Sequence, residues 1–184
     1  MYMYYYDSPM GVMKLCADED ALLGVWFDEE RISEASLDIE VIENFHDNKH
    51  ISDAVCWLDE YFTGNVPSFT PKLKLQGSEF RKNVSEIMLK IPYGELSTYG
   101  EIANEVAMRI GKDRMSAQAV GGAVGSNEFS IIVPCHRVVG KGGKLTGYAG
   151  GMDKKVYLLH HEGVDFERHN LRNNTCISPH SIIL

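Results

Sequence analysis

Apolar residues recur with the short period of strands over residues 1–27 and at helical spacing beyond residue 77. That change of period constrains the chain to two unlike halves. Residues 1–6, 12–17 and 22–27 are rich in aromatic and branched side chains, which suit a pleated surface. Asp7-Ser8-Pro9-Met10-Gly11 and Asp18-Glu19-Asp20 separate them with turn chemistry, which predicts an antiparallel meander. Ser52 is placed to cap a helix over 53–62, with Trp57, Leu58, Tyr61 and Phe62 apolar and Gly64 as its stop. Pro67, Pro71 and the alternation Lys72-Leu73-Lys74-Leu75 read as a linker, with a domain boundary at 75–77.

Beyond it, Phe80, Val84, Ile87, Met88 and Ile91 fall on one helical face behind Ser78 as cap and before Pro92 as stop. Thr98-Tyr99-Gly100-Glu101 has the form of a capping box, which predicts a helix to about Met108. Ser116 starts a second helix over 117–124, ended by Gly125. Two short helices in succession resemble a helix-turn-helix with a long connection. An apolar strand broken in its middle follows over 131–139, then a glycine-rich hairpin over 140–151. Asp153 is placed to cap a last helix through Leu159 to Glu162, with Gly163 as its stop. The expected division is an amino-terminal domain over 1–75, a mostly helical domain over 76–165 and a polar tail over 166–184.

The chain of 184 residues is 44% hydrophobic and 24% charged, an ordinary globular balance that argues against general disorder. No apolar run approaches the ~20 residues of a membrane span. The first eight residues lack a basic start followed by an apolar stretch, so a secretory signal is not expected. Cys16, Cys56, Cys135 and Cys176 are far apart, which disfavours both a disulfide scaffold and a four-cysteine metal site. A reducing, cytoplasmic setting is the expectation. The net charge of −8 argues against a polyanionic partner until its distribution is read. Residues 1–75 carry a net −10 and residues 76–163 a net +2, so the second half remains free to approach a polyanion.

Cys135 is the singular residue. A polar Cys135-His136-Arg137 inside an apolar run costs burial energy, and Pro134 removes a ladder donor beside the thiol. A thiol attacks well only as thiolate, which needs a base or positive charge nearby; His136 and Arg137 qualify. Consecutive strand residues point to opposite faces, so a water would bridge Cys135 to His136. From spacing alone a buried structural cysteine beside a satisfied histidine is the favoured reading, since free cysteine is often a small core residue. His46 and His50 share a helical face, but no further ligand supports a metal site there. The small residues of 117–125 suit either tight helix packing or close approach to a DNA groove. Lys141 and Lys144 flank Gly142-Gly143, as phosphate-contacting or merely solvated loop lysines would.

Taken together, certain motifs resemble the methylated-DNA–protein-cysteine methyltransferases, the O6-alkylguanine-DNA alkyltransferases. They are Ile132-Val133-Pro134-Cys135-His136-Arg137-Val138-Val139, Ile91-Pro92-Tyr93-Gly94, Thr98-Tyr99-Gly100, Ala119-Val120-Gly121-Gly122-Ala123, Asn127, Gly147-Tyr148-Ala149-Gly150-Gly151 and His161-Glu162-Gly163. The likeness is close over 77–163 and weak at the start, in Tyr5-Tyr6-Asp7-Ser8-Pro9-Met10-Gly11. It implies an α+β chain: a ribonuclease H-like amino-terminal domain, then a winged helix-turn-helix domain carrying the active site. It implies that Cys135 takes the alkyl group from O6-alkylguanine, and from O4-alkylthymine, once per molecule after base flipping. By the same resemblance His136 accepts the thiol proton through water, Glu162 supports the imidazolium, Tyr99 protonates the leaving base and Asn127 holds the hinge. Gln118, Ala119, Gly122, Ala123 and Arg137 would meet substrate or DNA, with Tyr148, Ala149 and Gly150 as the lid. Gln118 stands where the family often has an arginine that fills the gap left by the flipped base. The implied partner is double-stranded DNA with alkylated bases, met through the minor groove by a monomer; no cofactor, metal or membrane is implied. A non-catalytic helix-turn-helix module and a cysteine hydrolase are the competing readings. Non-catalytic relatives lack the reactive cysteine, and no cysteine-hydrolase signature is present.

Overall fold

The computed structural model describes residues 1–27 and 39–165; the tail over 166–184, with Cys176, lies outside the described residues. β1 (Tyr2–Ser8), β2 (Gly11–Ala17) and β3 (Leu22–Phe27) form the antiparallel meander that their turns dictate. Ser8 Oγ closes the first turn on Gly11 O at 2.6 Å, and Gly11 takes the positive φ of 101° that the reversal needs. A short β4 (Glu40–Val41) adds in parallel to the other edge of β1, giving the order β3-β2-β1-β4. Two residues are too few to reveal a period, so this parallel edge was not readable in advance.

α1 (Lys49–Phe62) packs on the sheet through Ile51, Ala54, Val55, Trp57, Leu58 and Tyr61, one face at helical spacing. It begins four residues before the expected position, because Asn48 rather than Ser52 is the cap. Asn48 Oδ1 accepts from the backbone nitrogens of His50 at 2.9 Å and Ile51 at 3.1 Å, while its Nδ2 donates to Asp18 O at 3.2 Å. The amide side chain thus satisfies two orphan donors and ties the helix start to the β2–β3 turn.

In the second half, α2 (Glu79–Met88) starts at Ser78 as expected. β5 (Ser97–Thr98) leads into α3 (Tyr99–Arg109) through a reciprocal capping box. Glu101 N donates to Thr98 Oγ1 at 3.1 Å, and Thr98 N donates to Glu101 Oε2 at 2.7 Å. α4 (Ala117–Gly125) follows behind Ser116 and packs on α2 and α3. α5 (Met152–His161) closes the described chain. Asp153 lies inside its first turn, and Gly151, at φ 92°, is the boundary residue instead.

Two expectations are corrected. Residues 131–133 are a turn rather than a strand, and Cys135–Arg137 form one 3-10 turn; only β6 (Val138–Val139) is extended, paired in parallel with β5. The segment 140–151 is a loop without strand pairing, closed at its base by Gly140 N donating to Lys144 O at 2.7 Å. Glycines free the backbone there but provide no side chains for a pleated pair.

The expected linker is also part of the sheet edge. Leu22 N donates to Lys72 O at 2.9 Å, and Lys74 N donates to Leu22 O at 2.9 Å. Further along β3, Val25 N donates to Glu128 O at 2.7 Å and accepts, through its carbonyl, from Ser130 N at 2.8 Å. Both halves therefore share the free edge of β3, and one apolar cluster runs from Leu15 through Tyr61 to Val133. Asn48→Ala is expected to lower stability by about 1–2 kcal/mol, by losing the cap and the Asp18 tie, and to leave the helical circular-dichroism signal of the folded state intact. Urea denaturation followed by circular dichroism measures it.

Candidate functional site

The chain bends sharply just ahead of Cys135, and Asn127 holds the bend. Its Oδ1 accepts from Phe129 N at 3.1 Å. Its Nδ2 lies 2.9 Å from Val133 O, 3.0 Å from Cys135 Sγ and 3.3 Å from Phe129 O. An amide has two hydrogens to give, so the two shorter contacts take them. Between these anchors Ile131 has φ 72°, a left-handed conformation that a branched side chain rarely adopts. The strain persists because Asn127 and the Ser130–Val25 hydrogen bond fix the chain on both sides. In the resulting 3-10 turn, Cys135 and His136 are about one third of a turn apart, and the opposite faces expected of a strand do not apply.

Cys135 is buried and lines a small cavity of about 50 Å³ with Tyr99, Asn127, Tyr148 and Ala149. Tyr99 and Gly121 also border an adjoining cleft of about 610 Å³, where Gln118, Lys141 and Thr146 lie. Thr146 Oγ1 donates to Tyr99 Oη at 3.0 Å, which leaves the phenolic proton of Tyr99 available to another acceptor. Gly150 packs so tightly on Phe27 that an added Cβ would lie 2.6 Å from Phe27 Cδ2. The loop that borders the cavity thus rests on a β3 side chain.

Behind the thiol, Glu162 accepts five hydrogen bonds. Oε1 takes them from His136 Nε2 at 2.6 Å, Tyr61 Oη at 2.8 Å and Arg137 Nη2 at 2.9 Å. Oε2 takes them from Arg137 Nε at 2.8 Å and Gly94 N at 3.1 Å. Gly94 has φ 75°, and a Cβ there would lie 3.0 Å from the backbone carbonyl oxygen of Glu162, so the turn after Pro92 approaches the Glu162 backbone as only glycine permits. Burial alone would push the Glu162 carboxyl up; the hydrogen bonds from His136 and Arg137, with the guanidinium charge of Arg137, overcome this and hold it far below the carboxylate range. Burial pushes His136 down, against the pull of Glu162, so the ring is neutral at pH 7. Because an ionised carboxylate only accepts, Nε2 carries the ring proton and Nδ1 keeps its lone pair. Nδ1 is buried and has no hydrogen-bond partner among the described residues.

Lys155 is fully buried on α5. Its Nζ donates to Val138 O at 2.6 Å and Thr146 O at 3.1 Å, joining β6 to the cavity loop, and burial pushes its ammonium down to about 8. Neither Lys155 nor Tyr61 was readable as a site residue. Each sits in an amphipathic helix pattern, and only the fold places its polar tip inside.

Cys135, His136, Glu162, Tyr99, Asn127, Tyr148, Ala149 and the Gly150 loop are thus brought together. Gln118, Ala119 and Gly122 lie on the exposed face of α4. Two residues expected to meet DNA turn inward. Arg137 is buried, with Nη1 donating to Ile91 O at 2.6 Å and the rest of its fork spent on Glu162. Ala123 is on the buried face of α4 with Val120 and Val124. Cys16 is buried in β2 and Cys56 is exposed on α1, and neither lines the cavity. Among the described residues no group of three or more His, Cys, Asp or Glu is arranged to hold a metal ion, and no helix is long and apolar enough to cross a membrane.

Residues 1–75 match the 6-O-methylguanine DNA methyltransferase ribonuclease-like domain, and residues 79–164 match the DNA binding domain of the same methyltransferase. A methylated-DNA–protein-cysteine methyltransferase of Methanosarcina acetivorans is 43% identical over 164 residues, spanning 89% of this chain and 99% of the relative. One from Haemophilus influenzae is 35% identical over 170 residues, spanning 90% and 88%. A crystal structure of Mycobacterium tuberculosis OGT in complex with DNA superposes with a TM-score of 0.75 at 36% identity, over 88% of this chain and 92% of that one. The chain belongs to the 6-O-methylguanine DNA methyltransferase family.

The directions of these shifts fix a sign for stability. For His136 and Glu162 the folded-state values lie below the ordinary 6.5 and 4.5, so the unfolded chain binds protons more readily and stability is lost as pH falls through and below those values. Arg137→Met strips Glu162 of its cationic partner and is expected to cost about 3 kcal/mol at pH 7. The difference from the parent should shrink as pH falls and the carboxyl takes up its proton. Urea unfolding of both proteins at several pH values measures this.

Proposed function

We propose that the protein repairs alkylated DNA by moving the alkyl group from O6 of guanine to the sulfur of its own Cys135, each molecule reacting once. The carrying observation is a cysteine thiol lining a cavity beside a buried, oriented His136–Glu162 pair, in a chain related to methylated-DNA–protein-cysteine methyltransferases. In this reading His136 Nδ1 takes the thiol proton, through a water, and Glu162 stabilises the imidazolium that results. The thiolate attacks the alkyl carbon in line, forming the S–C bond as the C–O6 bond breaks. The bond electrons leave with guanine, and the Tyr99 hydroxyl supplies the proton that the departing base needs. Asn127 holds Sγ in place through its Nδ2 contact. The product thioether is stable, which makes the reaction a single turnover. The same displacement serves O4-alkylthymine.

A base reaches a buried thiol only outside the helix stack, so the reading includes base flipping. The exposed face of α4, with Gln118, Ala119 and Gly122, is slim enough for a minor groove and carries few groups able to read sequence. Gln118 would hydrogen-bond the orphaned partner base in place of the family's arginine. Lys141, Lys144 and Arg114 are exposed on the same half and suit phosphate contacts. The expected division at 75–77 separates this DNA-facing half from the acidic first half. A monomer acting in the cytoplasm completes the reading.

Incubation with duplex DNA containing O6-methylguanine should add one methylene to the intact mass, localised to the Cys135 peptide. Cys135→Ser should accept no alkyl group yet still bind duplexes of differing sequence with similar affinity, weakening as salt rises. Stoichiometric methylation of the serine variant, or no mass gain in the parent, would contradict the proposal.

A further inference from the structure

One polar group from the amino-terminal half reaches the His136–Glu162 pair. Tyr61, on the last turn of α1, is fully buried, and its Oη donates to Glu162 Oε1 at 2.8 Å across a sequence separation of 101 residues. That oxygen is the one His136 Nε2 holds at 2.6 Å and Arg137 Nη2 at 2.9 Å. The ring is fixed on several sides. It stacks on Trp57 with centroids 5.4 Å apart and meets Tyr93 edge-on at 5.9 Å, and its carbonyl pairs with His161 Nε2 at 2.7 Å.

We infer that Tyr61 is a positioning residue for the alkyl transfer: its hydroxyl draws on the charge of Glu162 Oε1 and so sets how readily His136 holds a proton. The inference rests on the reaction proposed above. Three donors share one carboxylate oxygen, which has two lone pairs, so each bond limits the others. Removing the neutral donor returns charge to the His136 bond and favours the imidazolium. Filling the space alone would need only the ring, since burying a hydroxyl brings nothing unless it is hydrogen-bonded. The groups facing His136 are Lys155 from α5 and Glu162 just past its end, Arg137 and Cys135 from its own turn, and Tyr61 from α1, with Tyr93 beside Arg137. Glu162 favours the imidazolium, while Arg137 and Lys155 oppose it. Tyr61 acts on the balance without a charge of its own. Burial and the Glu162 carboxylate push its phenol far above the ordinary range, so it remains a donor at every working pH.

Tyr61→Phe keeps the ring contacts and deletes one oxygen. Single-turnover transfer from an O6-methylguanine duplex to Cys135 is followed against pH in the parent, Tyr61→Phe, Glu162→Gln and the double variant. A ¹⁵N-histidine titration of His136 without DNA gives a readout independent of activity. The expected result is an acid-side midpoint, in both measurements, raised by about half a pH unit in Tyr61→Phe, the size expected when a neutral donor leaves a carboxylate paired to the titrating group. In the Glu162→Gln background the same change should shift nothing further, since the effect runs through the carboxylate. Superimposable profiles, uniform slowing at every pH, or an equal shift in the Gln background would overturn the inference. Loss of the cooperative melt in Tyr61→Phe would do the same, because it would assign the hydroxyl to stability rather than to His136. A parent that leaves Cys135 unmodified overturns the proposed reaction instead, and that control separates the two failures.

Discussion

A buried carboxylate with five donors is the interaction on which the rest depends. Taking Glu162 out of water costs several kcal/mol, and a hydrogen bond to a charged group returns about 1.5–3 kcal/mol. One or two donors would not offset that cost; the full set from α1, the turn at Gly94 and the Cys135–Arg137 turn does. The consequence is geometric. Three separate pieces of chain must converge within hydrogen-bond distance of one side chain at the end of α5, and His136 is thereby fixed in one tautomer.

The amino-terminal half contributes more than a covering. The free edge of β3 receives Lys72-Leu73-Lys74 and then Glu128-Phe129-Ser130, so the bend before Cys135 is clamped by the sheet on one side and by Asn127 on the other. Phe27 supports the cavity loop at Gly150, and Tyr61 completes the Glu162 shell. The strained Ile131 is tolerated because these contacts over-determine it. The two halves differ in charge, yet the Cys135–Arg137 turn is held by both.

Much of this was legible in the residues. The turn chemistry around Pro9 and Asp18 specified the meander, and Thr98 with Glu101 specified the start of α3, because those signals are local. Ser52 misled because a serine cap and an asparagine cap four residues earlier are locally equivalent; the Asp18 carbonyl, distant in sequence, decides between them. The run 131–139 read as a strand because branched residues favour that state, and tertiary anchors overrode the preference. The resemblance placed Arg137 with substrate or DNA, and nothing local pointed to its buried carboxylate partner, which lies 25 residues away in sequence. Tyr61 and Lys155 were hidden for the same reason: each satisfies a helical pattern, and its polar atom finds a partner only in the assembled fold.

The central claim is that the Glu162 charge drives the His136–Cys135 chemistry. The most direct test is the alkyl-transfer rate of Glu162→Gln against pH beside that of the parent, with folding checked by a cooperative melt. A neutral amide withdraws the charge that stabilises the imidazolium and so lowers the share of thiolate. The account predicts a folded variant whose transfer is markedly slower and whose acid-side midpoint is moved to lower pH. Rate–pH profiles that superimpose on those of the parent would contradict it.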